Sequence, residues 1–174
     1  MEAEILDRPP LSGDIEEHNF SKSGNTLWVK FFDEEYVEWV GVFSQSGWSS
    51  YNTVLRVPNE KLFLVIAGGQ GYFVDPNKRE IVSLTEWDGI DNIIYNEETG
   101  FLVATDGLCL ALFEGPRLEW SGQRVSADGI SFTGQSGPII KGVLNDLTDE
   151  GCEFTFNANT QEFNAAWVFA ENWS

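Results

Sequence analysis

The sequence predicts an all-β protein made of antiparallel, four-stranded repeats. Its apolar runs are short, rich in aromatic and β-branched residues, and separated by turn residues. No long stretch keeps the 3.6-residue period of a helix. The pattern returns roughly every 40 residues, starting at Trp48, Trp87 and Ala127. We therefore expect repeats over about 48–86, 87–126 and 127–170.

The clearest strand pair lies in the second repeat. Residues 101–105 and 108–113 are apolar runs joined by Asp106-Gly107. Asp-Gly between two such runs predicts a hairpin with a type I′ turn, because both residues tolerate a positive φ. The third strands of the three repeats also align, and the alignment places Phe73, Phe113 and Phe156 in matching positions.

Two segments precede the repeats. Residues 1–25 show no strand or helix period and include a Pro-Pro pair, so we expect an extended arm. Residues 26–174 are expected to form a single all-β domain. Within that domain, 27–32 and 36–43 predict an N-terminal hairpin, which could complete a fourth sheet with 165–169.

The order of strands and turns over residues 48–170 resembles the blades of β-propellers. That resemblance implies a propeller-like ring or an open twisted array. Evenly spaced short strands would also suit a β-sandwich or a barrel. A shorter stretch, 124–130, resembles a motif of small uncharacterised bacterial proteins, and that likeness implies no function.

The charge of the chain restricts its partners. It contains 28 acidic and 10 basic residues, for a formal net charge of −18. Nucleic acids and anionic membranes are not expected to bind, because phosphate contacts need Lys and Arg. A basic protein surface or a cation would be attracted instead.

The sequence favours a cytoplasmic location. Its N-terminus lacks the basic and apolar regions of a secretory signal, and no apolar run approaches the length of a membrane span. Cys109 and Cys152 offer neither a disulfide framework nor zinc-ligand spacing. Both are predicted to be reduced, small and buried.

Enzymatic residue sets are scarce. His18 is the only histidine, so neither a Ser-His-Asp triad nor a His-rich metal site is expected. A glycan hydrolase would need two carboxylates in one pocket, and its candidates come at predicted strand ends: Asp88, Asp91, Asp106 and Asp128. Three of these precede glycine, which turn formation also explains. We therefore predict a protein that is not an enzyme and needs no cofactor.

The candidate binding residues combine aromatic rings with these carboxylates. Tryptophans near the repeat boundaries could contact a partner or a sugar, although core packing is the alternative. The candidate set is Trp48, Trp87, Asp88, Asp91, Asp106, Trp120 and Asp128. A second set could hold Ca²⁺, with a solvated acidic turn as the alternative; it comprises Asp146, Asp149, Glu150 and Glu153.

Taken together, these features favour a non-enzymatic, acidic protein-binding module. It would act on a basic partner protein, in the manner of an immunity protein or an inhibitor. Three alternatives stay open: a carboxylate-based glycan hydrolase, a carbohydrate-binding lectin, and a structural protein that forms homo-oligomers through its sheet edges.

Overall fold

The structure is a computed structural model that describes residues 1–10, 13, 15–22, 24–145 and 151–167. This part of the chain contains sixteen strands and one short 3-10 turn, which confirms the predicted all-β class. The strands form four four-stranded sheets, each with two free edges among the described strands. None of the four described sheets therefore closes into a barrel.

The N-terminal half forms two sheets. Sheet A contains β1 (Glu2–Leu6), β2 (Glu16–Asn19), β3 (Thr26–Phe32) and β4 (Glu38–Ser44). Sheet B contains β5 (Asn52–Val57), β6 (Leu62–Ala67), β7 (Gln70–Asp75) and β8 (Glu80–Leu84), with the 3-10 turn Pro58–Glu60 between β5 and β6. Together they make up a compact unit, Met1–Gly89, called unit 1.

The C-terminal half also forms two sheets. Sheet C contains β9 (Asn92–Tyr95), β10 (Phe101–Thr105), β11 (Leu110–Glu114) and β12 (Arg117–Ser121). Sheet D contains β13 (Ile130–Ser136), β14 (Ile139–Leu144), β15 (Cys152–Asn157) and β16 (Phe163–Ala165). Both belong to a second compact unit, Ile90–Ser174, called unit 2.

Sheets B, C and D are the three predicted repeats. In each, four consecutive strands pair antiparallel in sequence order. The predicted hairpin at Asp106-Gly107 forms, but its turn is not type I′, because only Gly107 has a positive φ, of 90°. The Asp106 side chain instead accepts hydrogen bonds from the N–H groups of Leu108 (2.9 Å) and Cys109 (2.7 Å), which widens the connection.

Sheet A includes two strands from the N-terminal arm. Residues 1–25, expected to form an extended arm, contribute the edge strands β1 and β2 to the order β1-β3-β4-β2. The N-terminal hairpin is thus completed by the arm, whereas Ala165 belongs to β16 of sheet D. Strand β2 pairs parallel with β4. Both arm strands are sheet edges, and the neighbouring strand rather than local propensity decides their conformation.

Each unit has its own hydrophobic core. In unit 1, alternate residues of β3, β4, β6 and β7 form a cluster that includes Trp39 and Phe31, whose rings stack at 4.4 Å. In unit 2, residues of sheets C and D form a cluster around Phe154 and Phe156. Met1 and Ala3 pack against the first cluster, which gives the arm an apolar anchor.

The register corrects one detail of the repeat alignment. Phe113 pairs with Leu102, and Phe156 pairs with Ile140, each opposite the second residue of a neighbouring strand. In sheet B the matching pair is Val74 with Phe63. Phe73 lies one residue earlier, so its side chain points to the other face. All three phenylalanines are nevertheless fully buried.

No helix in the described ranges is both long and apolar enough to cross a bilayer.

Candidate protein-binding surface

Six of the seven candidate binding residues lie between strands, as expected. In unit 1, Trp48 follows β4, and Trp87 and Asp88 follow β8. In unit 2, the aspartates flank β9, β10 and β13; they are Asp91, Asp106 and Asp128. These positions divide the candidates into one group in each unit.

The seventh candidate, Trp120, takes part in core packing. It lies on β12, is half-buried, and packs against the core of unit 2. Its ring stacks on Phe156 with centroids 5.2 Å apart and an interplanar angle of 23°. Core packing, rather than contact with a partner, therefore explains the position of this tryptophan.

Three segments of unit 1 meet at the turn between β6 and β7. A Cβ atom placed on Gly69 would lie 3.1 Å from Gly89 Cα and 3.2 Å from Ser49 Cβ. Gly69 has a φ of 91°, in the left-handed region. Only glycine suits both the backbone conformation and the close approach. The turn thus brings the loop after β4 against the segment after β8.

Hydrogen bonds hold the loop that carries Trp48. The N–H of Ser49 donates to the carbonyl of Gly68 at 3.2 Å, and the Ser46 hydroxyl donates to the same carbonyl. The N–H of Ser46 donates to the carbonyl of Ala67 at 3.2 Å. Although its backbone is held in this way, the Trp48 side chain is 77% exposed. A large apolar ring is therefore presented to solvent from a fixed loop.

The neighbouring segment after β8 is acidic. Glu86 and Asp88 are exposed, and Trp87 between them is half-buried. None of the three meeting segments, 45–51, 68–69 and 85–89, contains Lys or Arg. We call Trp48, Glu86, Trp87 and Asp88 the Trp48 surface.

A similar junction in unit 2 gathers aspartates. A Cβ atom on Gly107 would lie 3.6 Å from the Asp91 carboxylate and 3.9 Å from Gly129 Cα. Asp91 and Asp128 are exposed, whereas Asp106 is half-buried and caps its own turn. Turn formation thus accounts for Asp106.

The two cysteines are free thiols of intermediate exposure. Burial, followed by the nearby carboxylate of Asp106, raises the pKa of the Cys109 thiol. A raised pKa keeps this thiol protonated and less reactive. Both cysteines were expected to be buried, and the structure leaves both only partly buried.

The candidate calcium loop falls mostly outside the described residues. Asp146, Asp149 and Glu150 belong to the range that is not described, and Glu153 is an exposed residue of β15. Among the residues that the structure describes, no group of three or more His, Cys, Asp or Glu side chains is arranged to hold a metal ion.

Sequence reasoning missed a charged cluster that joins three segments of unit 1. The guanidinium of Arg79 forms ion pairs with Glu16 of β2 and with Asp33, the latter at 3.4 Å. The His18 ring bonds to Glu16 at 2.8 Å and lies edge-on to Trp39 at 5.3 Å. Because these partners are far apart in sequence, no local motif could have revealed the cluster.

Hydrogen bonding stabilises the charged forms of both carboxylates. The bond from His18 and the ion pair with Arg79 lower the pKa of Glu16. The backbone N–H of Val37, at 2.9 Å, makes the largest contribution to the lowered pKa of Asp33. The cluster therefore anchors the arm strand β2 to the rest of unit 1, and we assign it a structural role.

The chain matches no known protein-family model, and no curated protein has a similar sequence.

Proposed function

We propose that this protein is a non-enzymatic binding module that recognises a basic segment of a partner protein through the Trp48 surface. The observation that carries the proposal is the 77% exposure of Trp48 on a hydrogen-bonded loop. Exposing so large a ring to water is unfavourable, and tryptophan is among the residues that contribute most to binding interfaces.

The negative charge of the Trp48 surface and of the whole chain indicates a basic partner. Glu86 and Asp88 are exposed in the segment that packs beside the Trp48 loop. Of all the described carboxylates, only those of Asp33, Asp75 and Asp106 are not exposed. A field of this sign speeds encounter with a Lys- or Arg-rich surface and weakens as salt is added. An inhibitor or immunity protein that acts on a basic target would work in this way.

The proposal also places the protein in a reducing compartment such as the cytoplasm. Cys109 and Cys152 are both free, as thiols usually are there.

A displayed peptide library offers a defined test. Peptides selected at low salt should be rich in Lys and Arg, and their affinity should fall as salt rises. The variant W48A should weaken binding by at least about thirtyfold, because loss of a binding hot spot costs about 2 kcal/mol or more. E86Q/D88N should weaken binding and flatten its salt dependence.

A matched pair of charges in unit 2 provides the control. Glu97 and Glu98 are exposed neighbours in the turn before β10, and E97Q/E98Q removes the same charge as E86Q/D88N. This control should bind like the wild type. Selection of no basic peptide, or undiminished binding by folded W48A, would contradict the proposal. Binding to a glycan array that W48A abolishes would favour the lectin alternative instead.

A further inference from the structure

Strand β8 is an edge strand with an unusual surface. It pairs with β7 and ends the described order of sheet B. Its side chains Val82 and Leu84 are 48% and 51% exposed. Edge strands are normally protected by charges, proline or a β-bulge, because their free backbone groups can pair with another chain. Strand β8 has a bulge but few charges. Glu80 at its start is the only charged residue of β8.

The matching strand of sheet C is protected. Ile81 pairs with Val74 and Ser83 with Phe73, which leaves Val82 as the extra residue of a β-bulge. In β12, Leu118 pairs with Phe113 and Trp120 with Leu112, which leaves Glu119 in the same position. The repeats therefore place valine and glutamate at one equivalent site.

Because of this difference, the edge strands β8 and β12 expose different side chains to solvent. Glu119 forms an ion pair with Arg117 on the exposed side of β12. Val82 can form no such pair, so β8 exposes two aliphatic side chains where β12 carries Glu119 and Ser121. Nothing in the bulge itself demands valine, because the same backbone accommodates glutamate.

We propose that β8 binds the β8 strand of a second copy of this chain, antiparallel, about a two-fold axis at Val82. In that arrangement Val82 faces its own counterpart, and Glu80 lies opposite Leu84 of the partner subunit. Like charges directly opposite each other would oppose pairing, and this register places none across the strands. A two-fold contact of this kind closes after two copies.

Charges beyond the strand ends support the same register. Lys78 lies in the turn before β8 and forms ion pairs with Asp75 (3.4 Å) and Glu80 (3.7 Å) of its own subunit. In this register its side chain would also come near Glu86 of the partner subunit, and by symmetry the contact occurs twice. Both side chains are exposed, Lys78 to 68%. A basic peptide bound in the same place would bring its positive side chains toward Lys78, so a second copy of the chain is favoured.

The net charge makes a distinctive prediction for this dimer. Two molecules of charge −18 repel each other at low salt. Added salt screens that repulsion but leaves apolar contact intact. Dimerisation should therefore strengthen with salt, whereas the basic partner proposed above should bind more weakly.

Analytical ultracentrifugation over a range of concentrations tests the contact. The wild-type mass should rise toward twice that of the monomer, more readily at high salt. V82E, which introduces the residue found at the equivalent bulge of β12, should stay monomeric and keep the wild-type circular dichroism spectrum. The control S121E adds the same charge to the exposed edge of β12 and should still dimerise.

Cross-linking tests the register. Because Val82 lies on the proposed axis, V82C should form a disulfide-linked dimer under mild oxidation much faster than L84C. The unmodified chain reports any background from Cys109 and Cys152. A wild type that stays monomeric at every salt concentration, a V82E variant that still dimerises, or equal cross-linking of V82C and L84C would overturn the proposal.

Discussion

Replacing Gly69 by alanine is expected to destabilise unit 1 and to loosen the loop that carries Trp48. Two effects add. A left-handed conformation costs a residue with a Cβ atom about 1–2 kcal/mol. The new methyl group would also lie 3.1 Å from Gly89 Cα and 3.2 Å from Ser49 Cβ, which is overpacking that costs about 1–3 kcal/mol. The sum is about 2–5 kcal/mol.

Gly107 provides a matched control for the strain. Its φ of 90° is close to the 91° of Gly69. A Cβ atom there meets nothing nearer than 3.6 Å, which is ordinary contact. G107A should therefore cost only about 1–2 kcal/mol. Replacing glycine by alanine also lowers the conformational entropy of the unfolded chain, which offsets part of the stability loss in each variant. This contribution cancels when G69A is compared with G107A.

Urea denaturation followed by circular dichroism measures both losses. Hydrogen exchange adds a local measurement, because G69A should reduce protection of the Ser46 and Ser49 amides, which donate to Ala67 and Gly68. Equal losses for G69A and G107A would show that close approach contributes nothing. Unchanged protection of the two amides would show that Gly69 does not hold the Trp48 loop in place.

Two further changes test the turns and the charged cluster. Q161G should stabilise unit 2 by about 1 kcal/mol in urea titrations, because Gln161 has a φ of 60° and Gly100 takes the same place in another turn; a loss of stability would contradict this. Asp33 has a lowered pKa, chiefly through the Val37 N–H, so its stabilising contribution is complete above the unfolded pKa of about 3.9 and is lost as pH falls through the lower folded pKa. Thermal unfolding between neutral pH and about pH 2 should therefore show a shallower acid loss for D33N than for the wild type, and identical profiles would exclude a role for Asp33.

The repeats were predictable because their information is local. Each contains short apolar runs, turn residues and a return spacing that can be recognised without knowing any partner strand. The positions of Trp48, Trp87 and Asp88 between strands followed from the same pattern. Their meeting at Gly69 did not, because the pattern does not show which loops of a sheet pack together.

The arm illustrates what local patterns miss. Strands β1 and β2 are short edge strands, and β2 contains Glu16, Glu17 and His18, which do not favour strands by themselves. Pairing with β4 and the ion pair to Arg79 hold β2 in place. Arg79 lies 63 residues after Glu16, beyond the range of any motif.

The sequence by itself determined the all-β class, the three repeats and the strongly acidic charge. Those properties depend on composition and on neighbours a few residues apart. Tertiary structure decided that Trp48 is exposed while Trp120 stacks on Phe156, and that Val82 and Glu119 share one bulge position. Burial and register depend on which distant strands pair, and pairing is settled only when the sheets pack.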